Sequence, residues 1–275
     1  MRFTKMHGIG NDYVYVDCFS QTVSDAPSLA RRVSPRRTGI GADGLILICP
    51  SPVADCRMEM YNADGSRGQM CGNGIRCVAK YIYEHGHAPR PCLRIETDAG
   101  IKTVQLHPVN GRVPRATVDM GEPILDGPRV PVAAEGRVVN APLQIDGVWY
   151  NVTCVSMGNP HCVVFVKDVD ALPLDRLGPP FEQHPFFPER VNTEFVAAHS
   201  RTVLRMRVWE RGSGETAACG TGACAALVAA VLNDLADRRA VVQLNGGDLD
   251  IEWRADNHVS MTGAADEVFS GEIDV

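Results

Sequence analysis

The sequence predicts an α+β protein made of two pseudo-symmetric halves, each a curved mixed β-sheet or barrel wrapped round one central helix. Three observations lead to this fold class. A Cys-Gly-x-Gly segment occurs twice, at 71–74 and at 219–222, so the two copies lie 148 residues apart. A helical pattern of apolar residues follows each copy, and most of the remaining chain consists of short apolar or alternating runs between turns. Two copies are too few for a solenoid, so they indicate a duplicated domain.

The repeat extends well beyond the two cysteines. Residues 58–74 align without gaps with residues 206–222, and each segment reads as an apolar strand, a turn containing Gly and Ser, and the start of a helix. The same offset places Asn11 on Asn159 and Gly44 on Asn192, and apolar runs follow in both halves. A register shared over most of each half indicates duplication of a domain of roughly 120–150 residues.

The individual elements follow from local patterns. Runs at 13–16, 45–48 and 95–97 predict strands of the first half, and runs at 162–166 and 241–244 predict strands of the second. Apolar residues at 75, 78, 79 and 82 have helical spacing, and Gly86 can end that helix. The segment 222–232 is apolar on every side, which predicts a helix buried all round. The Pro-rich stretch from 172 to 188 is expected to be a long loop.

Composition excludes several classes of protein. The 275 residues carry 27 basic and 33 acidic side chains, a net charge of −6 without a basic stripe, so we expect no nucleic-acid partner. No apolar run approaches the roughly 20 residues of a membrane span, so we expect no membrane partner. The first residues lack the apolar core of a signal peptide, and a cytoplasmic protein is expected.

The ten cysteines are expected to stay reduced and to bind no metal. Without an export signal a disulfide framework is not expected, and no C-x-x-C pair occurs. The G-x-G-x-x-G match at 39–44 precedes a strand rather than a helix, which is the wrong context for a dinucleotide. None of the four lysines follows a phosphate-cradling pattern, so pyridoxal phosphate is not expected either. We therefore expect an enzyme without metal or cofactor.

Cys71 and Cys219 are the most informative residues, because each stands at the start of a predicted helix. Unpaired N–H groups and the partial positive charge of a helix N-terminus should lower the pKa of such a thiol from about 8.5. The following glycines let a ligand approach the backbone, so donors to a carboxylate are expected at Gly72, Asn73, Gly220 and Thr221. A single cysteine of this kind would be interpreted as a small buried residue. Two of them at equivalent positions of a repeat favour a catalytic role.

The symmetry predicts the chemistry. Inverting a Cα centre requires removal of a proton from one face and delivery to the other. Two thiols from two halves, one a thiolate and the other protonated, form a matched base and acid for this purpose. The Cα proton is a very weak acid, so donors at both helix N-termini would stabilise charge that builds on the carboxylate. The sequence thus predicts an amino-acid racemase or epimerase.

Six ordered segments resemble those of diaminopimelate epimerases, at 6–13, 37–44, 61–74, 158–161, 192–194 and 210–222. The resemblance covers nearly the whole chain. It implies the epimerase fold and the interconversion of LL- and meso-2,6-diaminoheptanedioate, in lysine and peptidoglycan synthesis, without cofactor or metal. It also implies a homodimer. We assign residues 1–118 with 263–275 to the N-terminal half, and residues 119–262 to the C-terminal half.

The resemblance also implies roles for individual residues. Cys71 looks like the proton donor and Cys219 like the acceptor in the LL-to-meso direction, with His161 and Glu210 tuning the reacting centre. The residues that bind the reacting carboxylate correspond to Gly72, Asn73, Gly220 and Thr221. The substrate-binding set corresponds to Asn11, Asn62, Asn159, Asn192, Glu210 and Arg211. Gly44 occupies a position where several members have a substrate-contacting Gln, which leaves that one contact open.

Other functions remain as alternatives. A racemase of histidine, proline or a similar amino acid would use the same scaffold. Such a substrate has only one amino-acid group, so Arg211 would have no distal carboxylate to bind in a bidentate contact. An isomerase of the phenazine-pathway type would lack the cysteine pair that this chain has. A non-catalytic amino-acid binder, or a cysteine-rich redox or metal protein, would not depend on both thiols. Deuterium uptake at Cα separates these possibilities.

Overall fold

The computed structural model, which describes residues 1–274, groups the chain by its contacts into two units. The first unit comprises Met1–Asp119 and the segment from Thr262 onwards, and the second comprises Met120–Met261. The first unit is therefore built from two separate stretches of the chain. Within the described residues, no helix has both the length and the apolar character that crossing a bilayer requires.

The first unit is a mixed sheet of eight main strands. Their bounds are β1 (Arg2–Gly8), β2 (Asn11–Asp17), β3 (Gly44–Cys49), β4 (Cys56–Asn62), β6 (Cys92–Thr97), β7 (Gly100–Val109), β8 (Arg112–Asp119) and β18 (Asp266–Glu272), while the short β5 (Arg67–Gly68) pairs with β4. In sheet order they pair as β18–β1–β2–β3–β4–β6–β7–β8, with parallel pairs at β2–β3 and β4–β6 and antiparallel pairs elsewhere.

One helix lies inside this sheet and one lies outside it. Helix α2 (Gly72–Glu84) contacts β1, β2, β4, β6, β7 and β8, so the sheet curves round it. Eleven of its 13 residues are buried, and the helix ends at Glu84 with His85 as its C-cap, before Gly86 with its positive φ of 80°. Helix α1 (Ala26–Val33) packs its apolar face on the outer side of β3 and β4.

The second unit repeats this arrangement. Its strands are β9 (Ala141–Ile145), β10 (Val148–Ser156), β11 (Pro160–Phe165), β12 (Asn192–Ser200), β13 (Val203–Glu210), β15 (Arg239–Leu244) and β16 (Gly247–Trp253), and the short β14 (Gly214–Thr216) pairs with β13. They pair in the order β9–β10–β11–β12–β13–β15–β16, with parallel pairs at β11–β12 and β13–β15. Strand β17 (Val259–Ala264) contains the boundary between the units.

Helix α4 (Gly220–Leu232) is the central helix of the second unit. It contacts β10, β11, β12, β13, β15 and β16, and its residues from Gly222 to Ala230 are all buried. A helix of Ala, Val, Leu and Cys with no polar face is stable here because the sheet surrounds it. The predicted fold class is therefore confirmed, with one curved mixed sheet around one helix in each unit.

Strand register repeats at the offset found in the sequence. Tyr13 pairs with Gly44 in β2–β3, and His161 pairs with Asn192 in β11–β12. Both residues of the first pair are 148 positions before their counterparts in the second. The pairing of β3 with β4 and of β12 with β13 keeps the same offset, since Leu45 pairs with Tyr61 where Thr193 pairs with Trp209.

The expectation of a loop from 172 to 188 is wrong, because helix α3 (Leu174–Glu182) forms there. Pro179 and Pro180 lie inside this helix and lack the N–H that would bond back to the preceding turn. Packing compensates for their poor propensity. Phe181 is fully buried among apolar residues of the sheet, and Gly178 lies so close to Trp209 that a Cβ would stand 2.1 Å from its ring.

Candidate active site

Cys71 is the N-cap residue of α2, with extended backbone angles that present its thiol to the first turn. The Gly74 N–H donates to its Sγ at 3.3 Å, and the thiol in turn lies 3.3 Å from the Asn11 Oδ1 that accepts its hydrogen. Asn73 Nδ2 also donates to this oxygen, at 3.4 Å. Four of the residues predicted from the sequence, Asn11, Cys71, Gly72 and Asn73, thus lie together at one helix N-terminus.

A charged cluster fixes the side chain of Asn11. Its Nδ2 donates to Asp43 Oδ2 at 2.7 Å, and Arg36 bonds both Asp43, at 2.9 Å, and Asp12, at 2.8 Å. Lys5 forms a second ion pair with Asp12 at 2.6 Å. Burial acts to raise the pKa of the Asp12 carboxyl, but hydrogen bonds from Arg36 and Lys5 lower it to about 2. Sequence reasoning assigned no role to this cluster.

Arg76 is a second feature that the sequence reasoning missed. It is fully buried in α2, one turn after Cys71. Its Nη2 donates to Asn73 Oδ1 at 3.0 Å, and its Nη1 donates to the Gly72 carbonyl at 3.1 Å. A buried cation is stable only when its donors are satisfied, so Arg76 orients Asn73 from behind and places positive charge beneath the helix N-terminus.

Gly44 and Asn62 form a directly opposed pair at the adjoining ends of β3 and β4. A Cβ at Gly44 would stand 2.1 Å from the Tyr61 carbonyl oxygen and 3.0 Å from the Tyr13 ring. The backbones approach so closely that Gly44 can offer only main-chain groups, and a Gln here would need the strands to separate. Asn62 donates from Nδ2 to Ser66 Oγ at 2.9 Å, within its own turn.

Cys219 is the N-cap residue of α4 and repeats the placement of Cys71. Its side chain is buried, and its Sγ lies 3.5 Å from the Thr221 hydroxyl. Glu210, at the end of β13, accepts a hydrogen bond from Thr216. Burial raises the pKa of Glu210, while hydrogen bonds from Thr216 and the Cys219 thiol oppose that rise.

A buried imidazole–carboxylate pair lies in the second unit. His161 Nδ1 is 2.7 Å from Glu194 Oε1, and its Nε2 is 3.0 Å from Asn159 Oδ1. His161 and Glu194 are both fully buried, and Glu194 Oε2 has no hydrogen-bond partner within the described part of the chain. The sequence reasoning assigned no role to Glu194, although a carboxylate directly before the apolar run at 195–198 could have indicated one.

Glu194 lies near Cys219 because Gly222 has no side chain. A Cβ at Gly222 would stand 2.6 Å from Glu194 Oε1 and 3.2 Å from Cys219 Sγ. These two distances sum to 5.8 Å, which is the largest possible separation of the carboxylate oxygen and the sulfur. The second glycine of the Gly-x-Gly motif therefore makes room for a carboxylate beside the thiol.

Asn192 links the start of β12 to the turn after β13. Its Nδ2 donates to the Pro160 carbonyl at 2.8 Å, and its Oδ1 accepts from the Arg211 N–H at 3.0 Å. The Arg211 side chain is exposed and donates to the Glu189 carbonyl at 2.8 Å. Helix α3 supports this turn through Glu182, which accepts from Trp209 Nε1 at 2.7 Å and from the Gly212 N–H at 3.0 Å.

The expected lowering of the thiol pKa values is wrong for this structure. Burial raises the pKa of Cys71 above its ordinary value, although N–H donors from Gly74 and Asn73 oppose the rise. Burial raises the pKa of Cys219 still further, together with the negative charges of Glu210 and Glu194. Desolvation of a thiolate outweighs the helix N-terminus when the sulfur is removed from water.

Comparison with known proteins identifies the family of this chain. The sequence model of the family described as diaminopimelate epimerase matches residues 3–125 and 153–268. A diaminopimelate epimerase of Acetivibrio thermocellus is 55% identical, with 100% of this chain and 99% of that protein covered. One from Desulfovibrio desulfuricans is also 55% identical, covering 99% and 98%.

Solved structures with low sequence identity share the fold. A phenazine biosynthesis protein of the PhzF family from Bacillus anthracis matches with a TM-score of 0.71 at 16% identity, covering 100% of this chain and 99% of that one. A probable proline racemase from Agrobacterium radiobacter matches with a TM-score of 0.71 at 15% identity, covering 100% and 93%. Since the family profile spans most of the chain and full-length relatives are more than half identical, the chain belongs to the diaminopimelate epimerase family.

Proposed function

We propose that this chain interconverts LL- and meso-2,6-diaminoheptanedioate, with Cys71 and Cys219 as the acid–base pair and no cofactor. The observation that carries the proposal is the recurrence of an N-cap cysteine followed by Gly-x-Gly at equivalent positions of both units, in a chain 55% identical to diaminopimelate epimerases. The product serves lysine and peptidoglycan synthesis. We place the enzyme in the cytoplasm, where thiols stay reduced, and all ten cysteines are unpaired here.

In the proposed mechanism, one thiolate removes the Cα proton and the other thiol delivers a proton to the opposite face. In the LL-to-meso direction Cys219 accepts the proton and Cys71 donates. In the reverse direction the roles exchange. Main-chain N–H groups at the two helix N-termini hold the reacting carboxylate and stabilise the charge that develops on it, and they belong to Gly72, Asn73, Gly220 and Thr221.

We assign recognition of the rest of the substrate to polar groups around the two helices. Arg211 is our candidate for the distal carboxylate, because its guanidinium is exposed and its backbone is held by Asn192. His161 and Glu210 act on the reacting centre by hydrogen bonding and charge. The remaining contacts are assigned to Asn11, Asn62, Asn159 and Asn192, with Gly44 contributing only its main chain.

The substrate is tested by deuterium uptake at Cα. We expect fast uptake in D₂O with diaminopimelate, and none above background with histidine or proline. Fast uptake with histidine or proline alone would replace the proposed function with the rival racemase activity.

The two-thiol mechanism is tested with Cys71→Ala and Cys219→Ala. Each variant should lose at least about a hundredfold in epimerisation, in line with the contribution of a positioned acid or base. Cys77→Ala and Cys224→Ala are matched controls, because these cysteines are buried in the same two helices, beyond their first turns. Full activity of either N-cap variant, or equal losses in the controls, would overturn the mechanism.

We also propose that the protein is a homodimer and that β18 contributes to its interface. Val268 is 55% exposed and Phe269 is 47% exposed, although they point to opposite faces of that strand. Burying this exposed apolar area against a partner subunit would be favourable. Light scattering should give a dimer mass that Phe269→Glu reduces to that of a monomer. Val53→Glu, at another exposed apolar site, should leave the mass unchanged, and an unaffected F269E dimer would exclude this surface.

A further inference from the structure

The two units differ in the charges behind their thiols. At the position of Glu194, 148 residues earlier, the first unit has the buried Ile46, and at the position of His161 it has Tyr13. At the position of Arg76 the second unit has the buried Cys224. The repeated scaffold thus holds a buried cation near Cys71 and a buried anion near Cys219.

We propose that Glu194 is a positioning residue that fixes His161 and holds Cys219 as the protonated thiol of the resting enzyme, so that Cys71 is the thiol that ionises first. The proposal rests on the proposed two-thiol function. Arg76 acts in the same sense, because its positive charge beneath α2 favours the charged form of Cys71. The resting enzyme is then prepared for the meso-to-LL direction, in which Cys71 removes the proton and Cys219 supplies one.

The hydrogen bond to His161 is the first line of argument. A carboxylate accepts hydrogen bonds and cannot donate them, so Glu194 Oε1 at 2.7 Å requires the proton of the imidazole on Nδ1. The ring orientation is fixed by that bond and by the 3.0 Å contact of Nε2 with the side-chain amide of Asn159, which can turn either its oxygen or its nitrogen toward the ring. Full burial of both partners prevents water from replacing Glu194.

The second line is the charge around Cys219. Glu210 reaches the thiol from β13, Glu194 from β12, and His161 lies on β11, so two carboxylates face the sulfur from neighbouring strands. Glu194 Oε1 is within 5.8 Å of Sγ, and its other oxygen lacks a hydrogen-bond partner among the described residues. A thiolate formed beside this carboxylate would be disfavoured by like-charge repulsion.

Glu194→Gln keeps the shape and removes the charge. Because alkylation follows the thiolate fraction, iodoacetamide should alkylate Cys219 in E194Q at pH 8 at least about tenfold faster than in the wild type, the size expected for loss of a charge within 6 Å in a partly screened site. Peptide-resolved mass spectrometry measures this rate for each cysteine. The buried Cys154 of the same unit should not react faster, which separates the charge effect from loosening of the fold.

The second readout is the ¹⁵N spectrum of His161. The wild type should show Nδ1 protonated, whereas Gln can both donate and accept, so the tautomer in E194Q should no longer be fixed. Glu84→Gln is the matched control, since Glu84 has a buried side chain at the far end of α2. E84Q should show the wild-type Cys219 rate and His161 spectrum.

Neither measurement needs a substrate, so each can succeed or fail independently of epimerase activity. An unchanged Cys219 rate in E194Q, or a wild-type His161 spectrum with Nδ1 unprotonated, would overturn the proposal. If E194Q does not fold, Glu194→Asp gives a second test. It retains the charge and should keep the slow Cys219 rate, whereas a rate like that of unfolded protein would count against the charge argument.

Discussion

Replacing Gly222 by Ala tests whether this glycine is required by the carboxylate beside it. The new Cβ would stand 2.6 Å from Glu194 Oε1 and 3.2 Å from both Glu194 Cδ and Cys219 Sγ. An ordinary C···O contact is longer by more than half an ångström, so Glu194 must move. It is fully buried and bonded to His161 at 2.7 Å, and movement would strain or break that bond.

The expected magnitude comes from three effects. Gly→Ala inside a helix stabilises by about 1 kcal/mol, overpacking costs about 1–3 kcal/mol, and loss of a buried hydrogen bond to a charged group costs about 1.5–3 kcal/mol. Gly222→Ala should therefore lower the free energy of unfolding by roughly 1.5–5 kcal/mol, the sum of these contributions.

Gly74→Ala is the matched control in the other unit. There the new Cβ would meet Ile46 Cδ1 at 2.6 Å and Met58 Cε at 3.2 Å, which are the ends of flexible side chains. Since those ends can rotate away, the helix gain should offset much of the packing loss, and stability should stay within about 1 kcal/mol of the wild type.

The assay is urea unfolding monitored by tryptophan fluorescence and by circular dichroism. Trp149, Trp209 and Trp253 are the only tryptophans, and all belong to the second unit. Fluorescence therefore reports on the unit that contains Gly222, while circular dichroism follows both variants. Equal stability of G222A and G74A, with the His161 spectrum of G222A unchanged, would refute the reasoning.

Three further predictions concern charge. Arg76→Met leaves Asn73 Oδ1 and the Gly72 carbonyl without the donors that Arg76 supplies. Thermal unfolding should therefore show that the free energy of unfolding falls by about 2–4 kcal/mol, and KM should rise. An unchanged KM would contradict the role given to Asn73. The Asp12 pKa of about 2 lies below its unfolded value of about 3.9, so the stabilisation by this carboxylate is present above pH 4 and is lost as the pH falls toward 2. In urea titrations Asp12→Asn should therefore be less stable than the wild type at pH 7. A stability difference of the same size at pH 2 would contradict this. Burial raises the pKa of both thiols, so kcat/KM for deuterium uptake should rise from pH 7 to pH 9, and a plateau beginning at pH 6 would argue against it.

Sequence patterns predicted the parts of the fold that have strong local signals. Helices α2 and α4 follow from apolar spacing after a cysteine cap, and the strand register follows from the 148-residue repeat. Helix α3 was missed because Pro179 and Pro180 argue against a helix locally, whereas packing of Phe181 and Gly178 decides for one. The repeat itself could have helped, since α3 begins 148 residues after α1.

The candidate site was predicted less completely than the fold. The N-cap cysteines and their glycines could be predicted, because the sequence places them at the starts of two helices, where main-chain N–H groups are free to bind a ligand. Arg76 and Glu194 give weaker signals, because each is a charged residue beside apolar ones and its partners become visible only in three dimensions. The direction of the thiol pKa shifts also depended on burial, which spacing along the chain does not reveal.

The discontinuous first unit has a consequence for synthesis. Strand β18 completes its sheet by pairing with β1, yet the whole second unit lies between β8 and β18 in the chain. Residues 120–261 are all synthesised before β18, so the second unit has its full set of strands before β1 gains this neighbour. A chain truncated after residue 265 should therefore have a protease-resistant second unit and a labile first one.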